Sequence, residues 1–168
     1  SGDYPGAQEM VLEKSSYDDF ECRREAALLE GKYLGFGLAN YVEGTGRGPF
    51  ESAVVRIGPS GIVTIETGAT SQGQGIETAL AQIAAGEIGV ALVDVKVSMG
   101  DTAVVPYGLG AFASRQAVTA GSSVFMAAQE VRAKVVMAAS HMLEAAISDL
   151  EIVAGEVRIK GSDRLLPI

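Results

Sequence analysis

Thr67-Gly68-Ala69-Thr70-Ser71-Gln72-Gly73-Gln74-Gly75-Ile76 is the stretch on which the reading of the fold turns. A β-branched segment, Ile62 to Thr67, runs into it and an amphipathic one, Ile76 to Ile88, runs out, so the glycines mark a strand-to-helix turn. The first N–H groups of a helix have no intrahelical partner and carry the positive end of its dipole. Such a turn suits an anion or a polar heterocycle. Gly73 and Gly75 remove the Cβ atoms that would hold a ligand off, and the amides of Gln72 and Gln74 both donate and accept. A tight turn alone would also explain the glycines. A second turn of the same kind, Gly108-Leu109-Gly110-Ala111-Phe112-Ala113-Ser114-Arg115-Gln116, opens a long helical pattern, and two such turns could cradle one extended ligand.

Working outward, Glu51 to Gly58 and Gly61 to Thr67 read as a hairpin around Pro59-Ser60-Gly61. Downstream, Ile76, Leu80, Ile83, Ala84 and Ile88 share one helical stripe that Gly89 ends. Val93, Val95 and Val97 alternate with Asp94, Lys96 and Ser98, a half-buried strand. The long helix is expected from about Arg115 to Asp149. Val124, Ala128, Val131, Val135, Ala138 and Met142 form one stripe, with Phe125, Val136, Leu143 and Ile147 beside it. Leu150 to Lys160 reads as a closing hairpin around Ala154-Gly155.

Toward the N-terminus, Tyr33 to Val42 alternates apolar residues with Gly35, Gly37 and Ala39, the period of a strand with one bare face. Residues 1–31 read as two short helices: Pro5 suits a helix start, Ser16 with Asp19 suggests a cap, and Gly31 suggests a C′ position. The expectation is a helical connector over 1–31 and a domain over 32–168. That domain is α+β and two-layered, a mixed sheet with helices on one face in the order β-β-α-β-α-β.

At 168 residues with 48% hydrophobic content the chain can bury a real core, and its net charge of −8 argues against nucleic acid. No apolar run approaches a membrane span. The opening Ser1-Gly2-Asp3-Tyr4-Pro5 has neither a basic start nor an apolar segment, and a cytoplasmic protein is expected. The single cysteine, Cys22, reads as a buried or half-buried thiol.

Few residues suggest chemistry of their own. His141, the only histidine, falls mid-helix among Ala and Met, where packing is the plainer reading, and no metal-ligand spacing accompanies it. No lysine follows the glycines as a Walker loop demands, and Gly-x-Gly-x-x-Gly is incomplete. Asp101, in Gly100-Asp101-Thr102, reads as a turn residue bonding its own backbone. At Ser114 and Arg115 a hydroxyl, helical N–H groups and a guanidinium come together, a phosphate-like site or simply an N-cap with a surface arginine.

Taken in order, Asn40-Tyr41-Val42-Glu43-Gly44-Thr45-Gly46 with Gly48-Pro49-Phe50-Glu51, then Gly73-Gln74-Gly75 with Glu77-Thr78 and Ala81-Gln82-Ile83, then Gly100-Asp101-Thr102, then Gly110 with Ala113-Ser114-Arg115, resemble the molybdopterin-binding large subunit of the xanthine dehydrogenase, aldehyde oxidase and aerobic carbon monoxide dehydrogenase family. The resemblance runs from about Gly2 to the end of the chain. It implies a molybdenum hydroxylase, in which a pyranopterin (mono- or dinucleotide form) holds the molybdenum and electrons pass to iron–sulfur and FAD subunits. It also implies cofactor contacts at Gln72, Gly73, Gln74 and Gly75 and at Ala113, Ser114 and Arg115. Ile76 stands where many relatives have histidine. The segments with the family's catalytic glutamate and substrate-side loop have no counterpart here, so no catalytic residue and no direct metal ligand are expected. The chain resembles an interior segment, inert by itself, whose partners are the rest of the large subunit or, on self-association, its own copies. The alternative is a small subunit of a split enzyme, or a docking module without catalysis.

Overall fold

A computed structural model describes residues 2–168, with Ser1 outside the described residues. Two compact units emerge, 1–42 and 43–168.

In the first unit, α1 (Tyr4–Lys14) starts at Asp3, whose carboxylate accepts from the Gly6 N–H at 3.0 Å, and Pro5 sits in the first turn. α2 (Phe20–Leu29) ends in paired bonds from Gly31 N–H to Leu28 O and from Lys32 N–H to Ala27 O, which makes Gly31 the C′ residue. The Ser16 cap does not form, since Ser16 is itself left-handed and its side chain caps nothing. Cys22 is exposed rather than buried.

The strand expected over Tyr33 to Val42 is also not formed. The segment has no regular structure, and its backbone takes part in no hydrogen bond to other backbone groups among the described residues. Alternation supplies a face, but a strand also needs a neighbouring edge to pair with. The Phe36 ring packs instead on Tyr17 and Phe20, at 4.7 and 5.7 Å between centroids.

The second unit follows the expected order. β1 (Ala53–Ile57) and β2 (Val63–Thr67) form the hairpin, antiparallel, with Val55 opposite Ile65. α3 (Ile76–Ile88) carries the chain across to β3 (Val95–Met99), which pairs parallel to β2 with Ile65 opposite Val97. A parallel neighbour requires such a crossover. The order β1-β2-β3 makes a mixed sheet.

α4 (Gln116–Leu143) packs beside α3. Val63 and Ile65 from β2, Leu80, Ala84 and Ile88 from α3, and Ala120, Val124 and Ala128 from α4 form one core, each without measurable exposure. Arg132 on α4 donates to the carbonyls of Glu87 and Ile88 at 3.0 and 3.3 Å, closing the C-terminal end of α3. Ile65→Val should remove one buried methyl group here, lowering stability by about 1 kcal/mol in a urea titration.

The last helix is shorter than the sequence suggests. It ends at Leu143 because Glu144 turns left-handed and the Ser140 carbonyl accepts from Ala145 N–H. Its stripe also shifts register: Ala139 and Leu143 are buried while Ala138 and Met142 are exposed. These buried residues meet a second, antiparallel sheet of β4 (Leu150–Val153), β5 (Glu156–Ile159) and β6 (Leu165–Pro167). The closing hairpin forms around Ala154-Gly155 as expected, whereas β6 is a strand that no periodicity in the sequence predicts. Among the described residues no helix is long and apolar enough to cross a membrane.

Candidate functional site

Two loops leave the same end of the first sheet, 68–75 after β2 and 100–115 after β3. They cross where Gly68 meets Gly108. An ideal Cβ on Gly108 would lie 2.5 Å from Gly68 Cα, so the two backbones touch with no room for a side chain. Around the crossing, Ser52 Oγ donates to Tyr107 O, Thr67 Oγ1 donates to Ser52 O at 3.0 Å, and the Phe50 and Tyr107 rings lie 5.0 Å apart.

Beyond the crossing the loops flank an open hollow of about 520 Å³. Gln72, Gln74, Gly75 and Ile76 line it from the first bend, and Phe112 to Ala117 from the second, with Glu43 at the rim. Gly73 does not line it; this residue is left-handed in open space beside the hollow. Both long helices therefore begin at one cavity. Neither has a side-chain cap, Gly75 at the start of α3 being left-handed with no side chain to offer. The first N–H groups of α3 and α4 take no partner in either loop among the described residues. Two uncapped dipole ends on one hollow favour an anionic or strongly polar guest.

Gln74 and Gln116 join the bends. Gln74 Nε2 donates to Gln116 Oε1 at 2.5 Å, Gln116 Nε2 donates to Thr70 O at 2.9 Å, and Gln72 N–H donates to Gln74 Oε1 at 2.7 Å. Gln74 is exposed, so Gln74→Ala should change global stability by no more than about 0.5 kcal/mol. Amide exchange at Gln72 should nevertheless quicken, because its acceptor is gone.

Arg115 is placed differently from the sequence expectation. Its side chain is fully buried and ion-paired with the equally buried Glu51. Every guanidinium nitrogen finds a protein acceptor: Nε the Arg47 carbonyl (3.1 Å), Nη1 the Glu51 carboxylate and Gly110 O (3.2 Å), Nη2 the carbonyls of Pro49 (2.5 Å) and Phe50 (3.4 Å). Glu51 also accepts from Leu109 N–H at 3.1 Å, and the Phe112 ring covers the guanidinium at 5.1 Å. The guanidinium is thus directed into the protein, not at a phosphate. What faces the hollow is the turn just before it, where Ala113 (φ 49°) and Ser114 (φ 48°) are both left-handed.

Asp101 is the turn residue expected, accepting from Ala103 N–H at 2.9 Å. His141 is exposed near the end of α4. Among the described residues no cluster of three or more His, Cys, Asp or Glu could hold a metal ion. Glu51, Phe112 and Gln116 shape the site, although the sequence reading assigns none of them to it. Of the three, Phe112 and Gln116 stand inside the second glycine-rich turn quoted from the sequence, whereas Glu51 lies 64 residues from its partner.

Comparison with known proteins bears on this geometry. Residues 10–167 match the family described as molybdopterin cofactor-binding domain. The carbon monoxide dehydrogenase large chain of Afipia carboxidovorans is 37% identical, the match covering 96% of this chain and 22% of that protein. The nicotine 6-hydroxylase large subunit of Paenarthrobacter nicotinovorans is 35% identical over 92% of this chain and 20% of its own length. Among solved structures, quinoline 2-oxidoreductase from Pseudomonas putida 86 superposes with a TM-score of 0.67 at 40% identity, covering 99% of this chain and 23% of that one. The chain spans about a fifth of the length of the curated relatives it matches.

Proposed function

The chain belongs to the molybdopterin cofactor-binding domain family, and from that premise we propose that its larger unit holds part of a pyranopterin molybdenum cofactor within the large subunit of a molybdenum hydroxylase. The observation that carries this reading is the pair of uncapped helix starts on one hollow. The donor set fits the group: backbone N–H dipoles for an anionic tail, and glutamine amides for a heterocycle that both donates and accepts.

On this reading Gln72, Gly73, Gln74 and Gly75 form one side of the cradle and Ala113, Ser114 and the Arg115 backbone the other. When bound, the cofactor supplies two-electron chemistry for oxidative hydroxylation of an aldehyde, an N-heterocycle or a carbon monoxide-like substrate. The residues of this chain bind and orient. The remaining contacts come from the rest of the large subunit, and iron–sulfur and FAD subunits complete the enzyme. The matched relatives are a "large chain" and a "large subunit", which supports assembly with further subunits. A free Cys22 suits a reducing, cytoplasmic setting. The N-terminal helices serve as a connector.

The test is retention of purified molybdenum cofactor by the chain on gel filtration, read as molybdenum co-eluting with protein. Weak, saturable retention is expected, with no turnover of an aldehyde or purine in the presence of a dye acceptor. A folded chain that retains no molybdenum at any concentration overturns the reading.

A further inference from the structure

We propose that the side chains of Glu51 and Arg115 are positioning groups for the cofactor: they hold Ala113 and Ser114 in the left-handed pair that presents the start of α4 to the hollow, and they set affinity without themselves touching the ligand. This rests on the cofactor reading and deepens it.

Three observations converge. First, the backbone partners of the pair (Arg47, Pro49, Phe50, Leu109 and Gly110) all lie in two loop segments, 47–50 and 109–110, the second of which leads into the bend at 113–114. Those bonds fix the path of both loops, so the pair acts on the conformation of the bend as well as on stability. Second, the bend it anchors is strained. Where the chain needs left-handed backbone elsewhere around the hollow it uses Gly73, Gly75 and Gly110, yet at 113 and 114 it places alanine and serine. A non-glycine residue persists in that region only where its surroundings over-determine it.

Third, the surroundings here do so. Phe112 and Arg115 bracket the strained pair, closed by Arg115 N–H donating to Phe112 O at 3.2 Å, and Phe112 lies against the guanidinium. Ser114 O accepts from Gly46 N–H at 3.3 Å, which ties the bend to the loop that Arg115 also grips. Without the grip the bend relaxes toward right-handed conformers, and the binding-competent form becomes a minor population. Apparent affinity falls in proportion to that population.

The experiment compares the chain with Arg115→Lys and Glu51→Asp, each alone and combined with Ala113→Gly/Ser114→Gly. The probes are purified molybdenum cofactor, by co-elution, and inorganic pyrophosphate, by amide chemical shifts of Ser114 to Ala117. Arg115→Lys loses the planar fork and should weaken both ligands about tenfold, as for a bend that is competent one time in ten. Glu51→Asp keeps the charge but shortens its reach, and should act in the same direction.

Glycine adopts the left-handed conformation without a Cβ penalty, so the glycine pair should recover most of the weakened binding. A purely structural role predicts no recovery, because added chain freedom restores no stability. A wild-type chain that binds neither probe fails the cofactor reading and this inference with it. Variants that bind as wild type with unchanged circular dichroism overturn the inference alone. So does failure of both single variants to fold, which would assign the pair to global stability.

Discussion

Arg115→Met should destabilise the chain by about 3–5 kcal/mol, the usual consequence of stranding one member of a fully buried ion pair. Two kinds of loss combine. The Glu51 carboxylate keeps only the Leu109 N–H as a partner, and the carbonyls of Arg47, Pro49, Phe50 and Gly110 lose their shared donor. The usual remedy is to remove the second charge as well, since an apolar pair of similar volume is often neutral or better. Here the remedy should fail. Glu51→Leu combined with Arg115→Met restores charge balance but leaves those part-buried carbonyls and the Leu109 N–H without protein partners, together at a cost of about 1–3 kcal/mol. Urea denaturation of both variants decides it. A double variant as stable as the parent would show that the hydrogen bonds to those carbonyls contribute nothing.

The same cluster shows where sequence reading stops. The helical stripe Ile76, Leu80, Ile83, Ala84 and Ile88 does face the core, buried except for the partly buried Ile83, because local periodicity determines which face of a helix is apolar. The hairpin register follows from its short turn. Both bends at the hollow are legible too, as glycine-rich turns opening amphipathic helices, and the structure brings them together there.

Non-local facts are not legible. Nothing around Arg115 announces that Glu51, 64 residues upstream, will neutralise it, so its guanidinium reads as a free anion ligand until the fold is known. Tyr33 to Val42 displays a strand period but cannot display the absence of a neighbouring edge. β6, Leu165–Pro167, is shorter than any window in which alternation can be recognised. Glycines read as turns, and the one crossing that depends on bare backbone at both residues, Gly68 with Gly108, looks like any other glycine pair.

That crossing gives the second large effect. Gly108→Ala should cost at least about 3 kcal/mol, the upper end of overpacking penalties, since nothing at the crossing can rotate away. The new Cβ would sit 2.5 Å from both Gly68 Cα and Gly68 O and 2.7 Å from Gly68 C. Gly68→Ala meets the same obstacle from the other side, with Gly108 N at 2.9 Å. Relief requires the 68–75 and 100–115 loops to separate, which pulls on the bonds from Ser52 to Tyr107 and from Thr67 to Ser52 as well. Stability and site geometry should therefore fall together, and the hydrogen bond between Gln74 and Gln116 should break in the same variants. Gly73→Ala provides the contrast. That residue is left-handed at φ 85° with nothing within 4 Å, so alanine there meets conformational strain of about 1–2 kcal/mol and no clash. Urea midpoints and the side-chain amide resonances of Gln74 and Gln116 separate the two cases. A Gly108→Ala chain that unfolds at the parent's midpoint, with those resonances unmoved, would mean the loops do not touch backbone to backbone.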